Sequence, residues 1–155
     1  MLFSDTQQPT VQYVRKGEII NVRDGDTIKV MVDQGFEEFC VQRVRVFGVN
    51  TPEIGSSRYP HETPAGEYVR RRVIRWLNFP EEKEVILHSV KYSPDQSFNR
   101  IVTMIWSQGR LLNKWLLDER LAWITNKHGT LQEDRTVESL DLPEGVKQRV
   151  RELLA

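Results

Sequence analysis

The chain of 155 residues holds a single cysteine, Cys40, so it can form no intrachain disulfide and offers no paired-cysteine zinc spacing. Its three histidines, His61, His88 and His128, are too scattered to make a metal motif and read as ordinary structural or surface residues. It has no excess charge of either sign: 22 Lys and Arg face 22 Asp and Glu, so no global field steers it toward a polyanion. No apolar run approaches the ~20 residues of a membrane span. Residues 1–10 (MLFSDTQQPT) lack the basic start and apolar stretch of a leader peptide, which makes a cytoplasmic location the default expectation. Glycine (9) and proline (7) are too few for a collagenous or low-complexity chain. What remains is 39% hydrophobic and 28% charged, an ordinary globular balance, and the length suits one domain. The expected organisation is a loose tail over 1–10 and a single domain over 11–155, with a monomer as the default.

Hydrophobic periodicity orders the domain. From position 11 to 49 the pattern is strand-like: Ile28, Val30 and Val32 alternate with Lys29 and Met31, and Gln34-Gly35 supplies a turn. In the third strand Arg43 and Arg45 alternate with Val44 and Val46, so arginines leave the sheet on one face and valines on the other. Residues 50–63 are rich in Pro, Gly, Ser and Thr and read as a loop. From Pro64 the apolar period becomes four residues, through Ala65, Val69, Val73 and Leu77, predicting an amphipathic helix that ends near Pro80; its Arg70 to Arg72 run reads as a solvated face. Two short β-rich runs, 84–91 and 100–106, predict a second hairpin. A second helix is expected over 110–124 and a third over about 141–154, with Pro143 in its first turn. Asn113, inside the apolar second helix, is expected to hydrogen-bond a buried backbone group, and Cys40 to be a small buried residue. This order predicts an α+β fold, mainly β: a five-stranded Greek-key barrel of the oligonucleotide-binding type flanked by about three helices.

Two oxygen-rich segments sit at strand ends: Asp24-Gly25-Asp26-Thr27 after the first strand and Asn50-Thr51-Pro52-Glu53 after the third. Taken singly, the first is a common turn and the second a loop with a proline stop. Taken together, a tight meander would gather Asp24, Asp26, Asn50, Glu53 and a threonine carbonyl into a hard-cation environment. Arg45, five residues before Asn50, and Arg100, opening the fifth strand, could turn two guanidinium forks toward the same cluster, and such forks match phosphate oxygens.

The chain resembles the staphylococcal nuclease (thermonuclease) family over positions 17–124, roughly two thirds of its length. The resemblance rests on Val22-Arg23-Asp24-Gly25-Asp26-Thr27, Arg45-Val46-Phe47-Gly48-Val49-Asn50-Thr51-Pro52-Glu53, Asn99-Arg100, and Gly109-Arg110-Leu111-Leu112-Asn113 with Leu121-Ala122. It implies a five-stranded barrel with three helices and calcium-dependent hydrolysis of phosphodiester bonds in DNA or RNA. Carried over by residue, it implies that Asp26, Asn50 and the Thr51 carbonyl bind one calcium ion. Glu53 is then the general base toward water, and Arg45 and Arg100 hold the scissile phosphate.

The chain departs from the family pattern at several positions. Asn50 stands where the family has a second aspartate, which removes one negative charge from the metal site. Ser97 and Phe98 stand in place of a lysine and a tyrosine before the fifth-strand arginine, and Asn126 and His128 fall near the family's paired tyrosines. The last region, after His128, has no match. The rival expectation is a catalytically silent nucleic-acid or protein binding module on the same barrel, favoured by the neutral charge and the missing stacking groups.

Overall fold

The computed structural model describes residues 12–90, 100–126 and 128–155, with Arg100 placed by its backbone. The tail expected over 1–10 and the departures at Ser97 and Phe98 lie outside the described residues. Strands β1 (Val14–Asp24), β2 (Thr27–Gly35) and β3 (Glu38–Val46) form the expected antiparallel meander. After the short β4 (Val49–Asn50) and helix α1 (Thr63–Leu77) come β5 (Glu84–Ser89) and β6 (Arg100–Ser107), an antiparallel hairpin. Strand order β3-β2-β1-β5-β6, closed by a parallel β3–β6 pairing, makes a five-stranded barrel. Closure leaves few open edges, and the alternation in β3 decides what lies inside: Val44 and Val46 are buried while Arg45 stands on the opposite face.

Helix α1 lies along the barrel through Ala65, Val69, Val73 and Leu77, the stripe expected from sequence, all of them buried. It ends where Asn78 adopts a left-handed conformation (φ 55°) and the N–H groups of Asn78 and Phe79 close back on the carbonyls of Arg75 and Ile74. Its first turn presses on the segment after β4. A Cβ on Gly66 would stand 2.8 Å from the carbonyl oxygens of both Pro52 and Glu53, so only glycine allows this approach. Gly66→Ala ordinarily favours a helix by about 0.5–1 kcal/mol, yet here the overlap with two fixed carbonyls is expected to give a net loss of roughly 1–2 kcal/mol. A thermal melt checks this; an unchanged or higher Tm would mean that α1 does not bear on residues 52–53.

The second half of the chain corrects two expectations. The helix predicted over 110–124 is only α2 (Leu112–Asp118), preceded by β7 (Arg110–Leu111) against β6. Arg120 turns left-handed (φ 54°), and Trp123–Ile124 become β8, pairing with β4. Tertiary pairing outweighs the apolar helical period there, because Val49 and Asn50 offer backbone partners at the barrel end. Helix α3 (Glu144–Leu154) starts at Glu144, since Pro143 is extended (ψ 144°) and stands before the helix. Its Val146 and Val150 are buried.

Of two smaller expectations, the one for Asn113 is met in detail, while Cys40, expected to be buried, is only partly so. Asn113 accepts the Ile105 N–H at 3.0 Å and donates to the Phe47 carbonyl at 2.8 Å, joining α2 to the barrel. Cys40 lies on β3, half-buried, and its sulfur accepts from Gln34 Nε2. No helix among the described residues is long and apolar enough to cross a membrane.

Candidate functional site

The β1–β2 turn and the segment after β4 meet at one end of the barrel. The turn is clamped across β3 by the Val46 N–H donating to the Asp26 carbonyl at 2.9 Å. Gly25 makes that fit possible, because a Cβ there would overlap Val69 of α1 and the Thr51 side chain. Asp26 is buried, and its carboxylate organises the site. Oδ2 accepts the Thr51 N–H at 2.8 Å and forms an ion pair with Arg45, while Oδ1 accepts the Thr27 hydroxyl at 3.2 Å. Arg45 reaches back with Nη2 to the Val49 carbonyl at 3.1 Å and to Asn50 Oδ1 at 3.2 Å. Asp26, Arg45, Asn50 and Thr51, spread over 25 positions, therefore share one hydrogen-bonded cluster.

The electrostatics separate three carboxyls. Burial opposes the charge on Asp26, but the Arg45 guanidinium, a hydrogen bond from Asp24 and the Thr51 N–H outweigh it and hold the Asp26 carboxyl low. Burial, and then repulsion by Asp26, push Asp24 up to about 8. The two are joined directly, Asp24 Oδ1 accepting the Asp26 N–H at 3.2 Å. Glu53 is raised by partial burial and by the Asp26 charge, against the opposing pull of Arg135 and Arg45. It keeps 38% of its side chain exposed, so it is the carboxylate of the site that solvent and a ligand can reach.

A group that local sequence did not announce holds Glu53 in place. The Glu53 N–H donates to Glu62 Oε1 at 2.9 Å, and Glu62, only 1% exposed, is gripped by both prongs of Arg135 at 2.9 and 2.7 Å. The Arg135 guanidinium lies over the rings of Tyr59 (4.0 Å) and Trp123 (4.9 Å) and stands 3.9 Å from the Glu53 carboxylate. Seventy-three positions separate Glu62 from Arg135, and neither belongs to a short motif.

Arg100 is placed by register alone. Its backbone pairs with Arg43 in the parallel β3–β6 ladder, where Arg45 pairs with Val102 two residues further on. It therefore lies two pairs along the ladder from Arg45. At the other departure, Asn126 Oδ1 accepts the N–H groups of His128 and Thr130, so this segment is a tight turn built on an asparagine.

The oxygen-only donor set of Asp26, Asn50 and the Thr51 carbonyl suits a hard cation such as calcium in kind. The Thr51 hydroxyl, buried beside Gly25 and without a hydrogen-bond partner among the described residues, adds a polar atom to the same place. The charge of the set is low. Among the described residues no three acidic, histidine or cysteine side chains converge, so a cation would rest on one ionised carboxylate. Arg45 already occupies Asp26 Oδ2 and Asn50 Oδ1, and a cation at these oxygens competes with it. The residues fit a weakly held calcium ion.

Comparison with protein-family models finds no match, and comparison with the curated proteins finds none either.

Proposed function

We propose that the chain is a phosphodiesterase acting on DNA or RNA, a nuclease whose reaction is in-line hydrolysis by an activated water. The observation that supports this reading best is a reachable carboxylate of raised basicity, Glu53, held beside a buried Asp26–Arg45 pair at one end of the barrel. Glu53 takes one proton from a water molecule as the water oxygen forms a bond to phosphorus. The bond from phosphorus to the 5′ oxygen breaks, and the leaving oxygen takes up a proton from solvent. Arg45 supplies a planar fork that can exchange its Asp26 and Asn50 contacts for phosphate oxygens as negative charge develops there, and Arg100 is the second candidate fork. Asp26, Asn50 and the Thr51 carbonyl would hold calcium, which when bound supplies further positive charge at the phosphate.

A second reading, a binding module without chemistry, is favoured by one observation: Arg45 is already satisfied by Asp26, Asn50 and Val49. A cleavage assay on labelled DNA and RNA, with calcium, with magnesium and with chelator, separates the two. Metal-dependent cleavage supports the nuclease, and binding without cleavage in every condition supports the silent module. Arg45→Lys sharpens the test. It keeps the charge but loses the second prong, so turnover is expected to fall roughly 10²-fold. A near-normal initial rate in this variant would remove Arg45 from phosphate recognition.

A further inference from the structure

Away from the Asp26–Glu53 site, α1, α2, β6 and β7 enclose an open groove of about 500 Å³. Trp76, Trp106, Leu111 and Trp115 form its apolar walls, and Arg110 and Lys114 are its cations. An unbroken ladder of aromatic rings and guanidiniums runs into it. The Arg72 guanidinium lies 5.9 Å from the Tyr68 ring and 5.6 Å from the Trp115 ring. Trp115 stacks on Trp76 (5.3 Å, 25°), and Arg110 covers Trp76 at 4.5 Å. Trp106 is half-exposed and has no ring or guanidinium partner among the described residues, which leaves it an open platform.

The charge of this surface is uneven. Lys114 is paired with Asp118, and Arg72 stands 3.9 Å from Glu119. Arg110, which lines the groove, has no carboxylate partner among the described residues and donates only to the Trp76 carbonyl; Arg75, next to Trp76 along α1 and outside the groove lining, is exposed and likewise has no carboxylate partner among the described residues. A neutral chain therefore places an unpaired cation, Arg110, beside its half-buried tryptophans.

We propose that this groove binds single-stranded nucleic acid. Its tryptophan platform would take an unpaired base and Arg75 and Arg110 the neighbouring phosphates. An acidic peptide would meet the arginines but offers no planar face to Trp106, and a duplex keeps its bases stacked inside. The choice of occupant rests on the nuclease reading, and it names the substrate class of that site. Helix α1 begins beside Glu62 and carries Trp76 thirteen residues further on, about 20 Å along its axis, roughly six stacked nucleotides at ~3.4 Å each. One strand can then occupy groove and cleavage site together.

The test is a titration of the full chain, in chelator, with an oligothymidylate of roughly 12 nucleotides, within the span of ordinary single-strand sites. Tryptophan emission and anisotropy are the readouts, and a duplex of equal length is the comparison. The single strand should quench emission and bind more tightly than the duplex. Arg75→Glu and Arg110→Glu together should weaken it about tenfold or more, with Arg75→Glu alone showing part of the loss and an unchanged melt. The double variant should still cleave a dinucleotide at the wild-type rate. No quenching, equal affinity in the double variant, or displacement by polyglutamate as effective as by oligonucleotide would each overturn the proposal. Charge-sensitive binding in a chain that cleaves nothing would keep the groove and remove the nuclease; dinucleotide cleavage without oligonucleotide binding would do the reverse.

Discussion

Glu53→Gln is expected to lower kcat by about 10² to 10⁴ while leaving the fold intact. The amide keeps the shape of the carboxylate but cannot accept a proton from water, so the loss measures base catalysis alone. Two features of the site raise the expected effect. Partial burial and the Asp26 charge lift the Glu53 carboxyl above its ordinary value, which makes the carboxylate a stronger base. The second is that Glu53 is held by its main chain, through the N–H bond to Glu62, so the substitution does not disturb the contact that positions it. Initial rates on a labelled oligonucleotide, with a circular dichroism melt of the same preparation, check both halves of the expectation. Unchanged turnover would remove Glu53 from the reaction.

Much of this end of the barrel was legible because its determinants are local. The alternation of Arg43, Val44, Arg45 and Val46 fixes which face each side chain takes, and Asp24 to Thr27 must turn because β1 and β2 pair on either side. Once the meander closes, Asp26 and Thr51 can only meet. The misread helix over 110–124 has its origin in a contact made at long range, whereas Pro143 is set by its own extended backbone. Leu121, Ala122 and Trp123 continue a helical apolar period, yet they lie past the end of α2 because β4 recruits Trp123–Ile124 as a strand. Trp123 is core, fully buried, but Trp76 and Trp115 come from α1 and α2 and form a surface ladder only when those helices sit side by side. The Glu62–Arg135 pair is illegible for the same reason, since one partner precedes α1 and the other lies in the segment between β8 and α3, which the resemblance does not reach.

Arg135→Ala is expected to destabilise the protein by about 3–5 kcal/mol, because it strands the Glu62 carboxylate in the interior. Glu62 is 1% exposed, and its carboxylate's charged partner at hydrogen-bond distance is the Arg135 fork; the Glu53 N–H alone cannot compensate a buried charge. Urea unfolding measures the loss. A variant carrying both Arg135→Met and Glu62→Gln removes the two charges together while keeping an amide oxygen for the Glu53 N–H, and should recover most of the stability. The pair of measurements separates a clamp from mere packing. If the guanidinium matters only as a plate between Tyr59 and Trp123, the double variant stays as unstable as Arg135→Ala, since the plate is missing from both. A loss under about 1 kcal/mol in Arg135→Ala would show that Glu62 carries no buried charge in need of a partner. The position of Glu53 would then have to be fixed by Gly66 and the first turn of α1 alone.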